Sequence, residues 1–480
     1  MSRHSWPAIA ALLVSACGGT GGVTVADEEQ AGAQTSQHVE EQVGIYTGEY
    51  LSNYVDTIGR RLVAKLGQTP YYFKFRVIDQ PEPNAFAAPG GYIYISRGML
   101  ALINNEDELA GILAHEISHV TLRHHARQAQ ASLLPGVLTL PGRAIGAIVG
   151  EDVANIINAP LSAAGEAYLS SYSRGQEAEA DEIGMRLSAN AGYDPSSLAT
   201  ALTTLERTIT LLTGTKREFS FFDSHPTAPN RIADIEQVAA TLAWQPARPI
   251  AKDRASVYKR LDGLTWGPNN PLQGVFAGRQ FMQPDMNLSI TFPEDWRTIN
   301  TPLYIGAFAP DEQAIILFGG PERPAGALTL ATDFANEVAK AANAEPLPPV
   351  ETKIGDWPAY VVKIDDTSGM EPVSVYYVWI SAPGTIFKIV ALGPKRYFDP
   401  MRDTAQSVRP LTKEERESIV AQRIRIATAE GGETIAMLSD RTGNTMPPKL
   451  TAAINGRDAA DILKSGTLIK ILRKEAYFGN

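Results

Sequence analysis

The sequence of 480 residues contains a single cysteine, Cys17, and only seven histidines. One thiol cannot form a disulfide within the chain, so the fold must rest on buried cores. Positive charge is also scarce. The 43 lysines and arginines face 53 aspartates and glutamates, a formal net charge of −10. No basic cluster interrupts that balance, which excludes nucleic acid as a partner and gives no general attraction to an anionic membrane surface. Long apolar runs are missing as well. The apolar stretch from Leu133 to Gly165 is broken by Pro135, Pro141, Gly142, Gly146, Gly150 and Pro160, which leaves no segment of bilayer-spanning length. Short helices or a flap over a cleft are expected there. Residues 272–411 hold neither histidine nor cysteine, and no catalytic cluster is found among them.

What is present begins with Arg3 and the apolar run Ala8 to Ala16, too short to span a bilayer but suited to a signal peptide over residues 1–16. Val14-Ser15-Ala16-Cys17 resembles the lipobox of bacterial lipoproteins, which implies lipidation of Cys17 and membrane attachment through acyl chains. Gly18 fits outer-membrane sorting, so the expected location is the cell envelope: an outer-membrane lipoprotein facing the periplasm, or a periplasmic protein. Residues 17–43 have scarcely a large apolar side chain and are expected to form a flexible tether. A hydrophobic content of 44% over this length supports several cores. The pattern divides into a mixed domain at 44–245, a Pro-rich linker at 246–271, an α+β domain at 272–411 and a small βααβ domain at 420–475.

The chemistry is concentrated in Glu106 to Arg127. Leu109, Ile112, Leu113, Ile117 and Val120 recur at helical spacing, Asn105 is a fitting N-cap, and Glu106, Asp107 and Glu108 fill a first turn that favours negative charge. A half-buried helix is expected. It carries His115-Glu116-Ile117-Ser118-His119, an H-E-x-x-H pattern that puts both imidazoles on one face, within reach of one metal ion, with Glu116 beside them to hold a water. His124 and His125, at the end of this helix, are expected to favour its dipole. Upstream, Asn84 to Ile95 reads as strand, Pro-Gly-Gly turn, strand, and Ala85, Phe86, Ala87 and Ala88 are expected as the edge that aligns an extended peptide by β-augmentation. Downstream, Ser173 opens a helix on which Glu177 and Asp181 share a face, so the first can ligate and the second can hydrogen-bond behind the ligands.

HEISH, SRGQEAEAD and NAFAAPGGYIYISRGML together resemble the zinc metalloprotease family that includes HtpX, the BepA-type periplasmic proteases and the CAAX prenyl proteases, over roughly residues 44–242. The resemblance implies a mainly helical α+β zincin-like domain with one Zn2+ per chain. It makes Glu177 the third ligand after His115 and His119, and Asp181 the matching acidic residue. Ser224-His225-Pro226, followed by Arg231-Ile232, is similar to another element of that family. In BepA-like members the matching histidine can sit near zinc and gate activity, so His225 is the candidate for a switch or for an oxyanion stabiliser. Residues 420–475 resemble a LysM-like module, which implies peptidoglycan as a partner.

The expected function is a zinc-dependent endopeptidase of the bacterial envelope, acting on unfolded or misassembled envelope proteins in quality control or assembly of outer-membrane proteins. The competing expectation is a latent or non-catalytic, chaperone-like scaffold lipoprotein that holds the cell wall. An intact general base at Glu116 speaks against that scaffold, and the HEISH and Glu177 constellation speaks against a cell-wall amidase.

Overall fold

The computed structural model describes residues 22–131, 172–213, 221–226, 230–247, 249–250, 253–320, 324–366 and 372–477. The expected signal peptide, Cys17 and the stretch 133–165 lie outside them. The described residues form two compact units. One takes those of Met1–Pro135, Gly165–Pro268 and Gln422–Glu475, and the other takes those of Asn269–Ala421 and the extreme C-terminus. No described helix is long and apolar enough to cross a membrane.

The first unit begins with helix α1 (Val25–Gln42), where a flexible tether was expected. Thr24 and Asp27 close a capping box on its first turn, and Glu28, Ala31, Gly32, Thr35, Ser36 and Val39 are buried. The lack of large apolar side chains is the signature of close approach, not of disorder. A Cβ on Gly32 would lie 1.9 Å from the Pro89 carbonyl oxygen, so only glycine lets the helix rest there. Helix α2 (Glu49–Val63) follows, buried along Leu51, Tyr54, Val55, Ile58 and Leu62.

Strands β1 (Lys74–Ile78), β2 (Ala85–Ala88) and β3 (Tyr92–Ser96) form a sheet of order β1-β3-β2. β3 runs parallel to β1 and antiparallel to β2, with Ala85 opposite Ile95 and Ala88 opposite Tyr92. Between β2 and β3, Gly90 and Gly91 take φ of 74° and 97°, which glycine adopts without strain. A short helix α3 (Arg97–Leu100) leads to α4 (Glu106–Thr121) and α5 (His124–Ala131). Then come α6 (Arg174–Asn190), α7 (Ser197–Thr213), α8 (Phe221–Ser224), α9 (Arg231–Thr241) and α10 (Arg254–Leu261). Helix α10 lies in the expected linker and buries Val257, Tyr258 and Leu261. Proline and charge suggested a linker, but Asp253 caps this helix and its apolar face joins the core of the unit.

The second unit holds a three-stranded sheet, β4 (Val275–Ala277), β5 (Gln280–Gln283) and β6 (Leu288–Thr291), and a seven-stranded antiparallel sheet. The larger sheet uses β7 (Arg297–Asn300), β8 (Ile305–Phe308), β9 (Ile315–Gly319), then, after helix α11 (Ala327–Ala342), β10 (Val350–Ile354), β11 (Trp357–Asp366), β12 (Val373–Ala382) and β13 (Thr385–Pro394). Their order is β10-β11-β12-β13-β9-β8-β7. Along β12, Val375, Tyr377 and Trp379 join the core under α11, while Tyr376, Val378 and Ile380 join the opposite core with α12 (Phe398–Gln406). Both faces are covered, which explains why this strand reads as a continuous apolar run. Helix α13 (Lys413–Ser418) ends the unit.

The last elements are β14 (Val420–Thr428), α14 (Ile435–Thr442), α15 (Pro448–Ile454) and β15 (Leu468–Ala476), the two strands pairing with each other. From Gln422 they belong to the first unit. Ile424, Met446, Leu450, Ile454 and Leu472 share one core with Leu109, Leu113 and Ile117 of α4. Each such side chain is worth about 1.5–3 kcal/mol when fully buried. The buried Lys470 Nζ donates to the carbonyls of Ala101 and Ile103 at 2.8 and 2.9 Å, at the threshold of α4.

Candidate metal centre

Helix α4 is not half-buried but enclosed along almost its whole length, from Glu106 to Val120. Its charged first turn survives burial because each carboxylate is met. Glu106 accepts from Tyr54, Tyr193 and the Ile250 backbone N–H, and Glu108 accepts from the Asn104 backbone N–H at 2.7 Å. Asn105 caps the helix by accepting from the Glu108 N–H at 2.8 Å. Helix α6 crosses close by: a Cβ on Gly184 would come within 3.0 Å of the His115 backbone. That close approach brings the acidic face of α6 onto the histidines of α4.

His115 Nε2 and His119 Nε2 lie 3.0 Å apart. Glu177 Oε1 is 3.5 Å from His119 Nε2, and its Oε2 is 3.6 Å from His115 Nε2. His225 Nδ1 completes the group, 3.2 Å from His115 Nε2 and 3.0 Å from Glu177 Oε1. The four residues are buried, and one donor atom from each lies within 4.8 Å of all the others. Donors at about 2.0–2.1 Å around a tetrahedral zinc sit roughly 3.3 Å from one another. The observed separations bracket that value.

The surroundings hold these donors in a ligating form. Asp181 Oδ1 lies 2.9 Å from His115 Nδ1, which leaves Nε2 free to face the cluster. Arg231, placed by α9, grips Asp181 with two bonds of 2.8 Å and sets Nη1 2.8 Å from Glu177 Oε2. Burial pushes the Glu177 carboxyl upward, but His225, His115 and Arg231 outweigh it and the net shift is downward. Asp181, also pushed up by burial, is brought down to about 2 by His115 and Arg231. His119 is driven well below its usual value by burial and then by the neighbouring imidazoles. A charged carboxylate at Glu177 and a neutral imidazole at His119 are forms that bind a metal.

Glu116 is fully buried, and burial pushes its carboxyl up to about 8. Neither of its oxygens finds a partner at normal hydrogen-bond geometry, although the Ala87 backbone N–H is near enough to favour the anion. His225 Nε2 is likewise unpartnered, 3.5 Å from Glu116 Oε1. These orphaned atoms border the donor cluster, where a bound water would satisfy them.

Strand β2 is at the edge of its sheet, as expected, but Ala85, Phe86, Ala87 and Ala88 are all buried. The Ala87 carbonyl accepts from His125 Nε2 at 2.9 Å. So His125 does not serve the helix dipole; it reaches the strand instead. His124 is buried too, and burial lowers both imidazoles to about 4, which removes the charge a dipole effect needs. Tyr172 stacks on His119 with ring centres 3.7 Å apart, and Phe221 stacks on His225 at 4.1 Å. No local pattern marked either ring as part of the site. Arg231 was visible only as the residue six places after His225.

Residues 50–239 match the model of peptidase family M48. The chain is 29% identical over 205 residues to a mitochondrial metalloendopeptidase of Schizosaccharomyces pombe, covering 43% of this chain and 56% of that one. It is 29% identical over 221 residues to the β-barrel assembly-enhancing protease of Escherichia coli, 45% of each chain. It is 30% identical over 180 residues to the metalloprotease LoiP of Escherichia coli, 37% of this chain and 67% of that one. The chain spans about half the length of the first two relatives. It belongs to peptidase family M48. Zinc is the metal of that family, and the donor set of His115, His119, Glu177 and His225 fits it.

Proposed function

We propose that this protein is a zinc-dependent endopeptidase of the bacterial envelope, at rest in a latent form. The observation that carries the reading is the buried four-residue donor set with Glu116 against it. His115, His119 and Glu177 would hold the ion, which when bound lowers the pKa of a water and polarises the scissile carbonyl. Glu116 takes a proton from the attacking water and passes it to the leaving amine, the role of a general base and then a general acid. Asp181 and Arg231 keep His115 and Glu177 in place. His225, the fourth residue of the donor set, is the proposed gate, because a catalytic zinc needs one place open for water. The deciding measurement is bound zinc and casein cleavage for wild type beside Glu116→Gln.

Strand β2 is proposed to align the substrate, presenting the backbone of Ala87 next to Glu116. Ala87→Pro deletes the N–H that faces Glu116. Cleavage of an unfolded protein should fall by about tenfold or more while zinc stays bound; unchanged cleavage would remove the strand from the mechanism.

The substrates we propose are unfolded or misassembled outer-membrane proteins, in keeping with relatives named for β-barrel assembly. Attachment through a lipid on Cys17 and a location facing the periplasm belong to the same reading, and the lipobox-like sequence supports them. Peptidoglycan is a proposed partner of the C-terminal segment, a reading that rests on its LysM-like sequence and is supported only by the βααβ order of β14, α14, α15 and β15. Co-sedimentation of the protein with purified sacculi is the expected result, and a protein left wholly in the supernatant would reduce this segment to a brace for α4.

A further inference from the structure

His124 lies five residues beyond His119, a spacing that would place it off the ligand face if the helix continued. The helix does not continue. After Thr121 the chain turns through Arg123, whose φ of 55° is left-handed and rare for a residue with a side chain. Helix α1 and the residues before it hold that turn: Arg123 Nε donates to Glu28 Oε2 at 2.9 Å and Nη2 donates to the Val23 carbonyl at 2.7 Å. The turn swings His124 back, so that its Nδ1 lies 2.8 Å from His119 Nδ1. On its far side, His124 Nε2 lies 3.2 Å from Glu179 Oε2, which is paired with Arg127 at 2.5 Å. His124 is fully buried, whereas half of the Glu179 side chain is exposed.

We propose that Glu179, His124 and His119 form one hydrogen-bonded chain from the surface to the metal centre, with His124 a positioning residue that fixes the tautomer and orientation of the ligand His119. The proposal rests on the zinc-site reading. The direction of the chain follows from elementary chemistry. His119 turns Nε2 toward His115 and Glu177, so its lone pair is there and Nδ1 must carry the proton. At 2.8 Å, His124 Nδ1 must then accept. Its own proton is left on Nε2, which faces a carboxylate that can only accept. Every donor meets an acceptor, and any other neutral arrangement sets two N–H groups or two lone pairs against each other. The two histidine ligands on α4 are therefore supported differently. His115 meets the carboxylate of Asp181 directly, and His119 meets Glu179 through a second imidazole.

The test is zinc affinity by chelator competition in the full protein, with the melting temperature of each zinc-free form measured alongside. His124→Leu removes the acceptor, and about a 10- to 100-fold weaker zinc affinity is expected, the range for partners behind metal ligands. His124→Asn puts Oδ1 where Nδ1 was and should restore affinity to within a few-fold of wild type. Glu179→Gln, at the surface and harmless to folding, should weaken zinc several-fold and supplies the answer even if the leucine variant does not fold. Unaltered affinity in His124→Leu and Glu179→Gln overturns the proposal. So does an equal loss in the leucine and asparagine variants, because the acceptor would then not matter. A wild-type protein that takes up no zinc overturns the zinc site itself, a different result from a wild type that binds zinc and variants that bind it equally well.

Discussion

Glu116→Gln should bind zinc as wild type does and cut casein about 10²–10⁴-fold more slowly, the usual share of a positioned general base. In barrier height that is roughly 3–5 kcal/mol. Zinc is retained because none of the four donor atoms belongs to Glu116. Folding is retained because the amide matches the carboxyl in shape and brings no charge into a fully buried position. The melting temperature of the zinc-free protein should therefore not fall. The combination matters more than either number: zinc in both proteins with cleavage only in wild type assigns the chemistry to Glu116. Zinc in both with cleavage in neither assigns the protein to a closed state, and zinc in neither ends the metalloenzyme reading.

The part of the site carried by regular helices could be read from the sequence. His115 and His119 share a face because a helix repeats every 3.6 residues, and the same rule pairs Glu177 with Asp181. Asn105 and Ser173 marked where those helices start, and both cap as expected. The parts that escaped depend on contacts between distant segments. Helix α1 looked like a tether because Gly32 and Ala31 carry no apolar bulk, yet small residues are what a helix needs to lie 1.9 Å, in Cβ terms, from the Pro89 carbonyl. His124 and His125 looked like charges for a dipole because nothing local shows that Arg123 breaks the helix in a left-handed turn. Arg231 serves both Glu177 and Asp181 across 50 residues of chain. The strands of the second unit at Leu288–Thr291, Ile315–Gly319 and Val373–Ala382, by contrast, depend less on distant contacts, since their apolar β-branched and aromatic runs favour strand locally.

His225→Ala should raise the rate of casein cleavage and loosen zinc. At rest His225 Nδ1 stands 3.2 Å from His115 Nε2 and 3.0 Å from Glu177 Oε1, a ligand's place in the donor set, with its ring held against Phe221. A catalytic zinc needs that place for water. If the closed arrangement is favoured by about 1.4 kcal/mol, only about a tenth of the molecules are open and the alanine variant gains about tenfold. The affinity for zinc should drop at the same time, because one of four donors is lost. An oxyanion stabiliser would behave oppositely, with slower cleavage and unchanged zinc, and a bystander would leave both alone. Faster cleavage together with weaker zinc binding is what only a displaced ligand produces, since the same bond that steadies the metal is the one that keeps water from it.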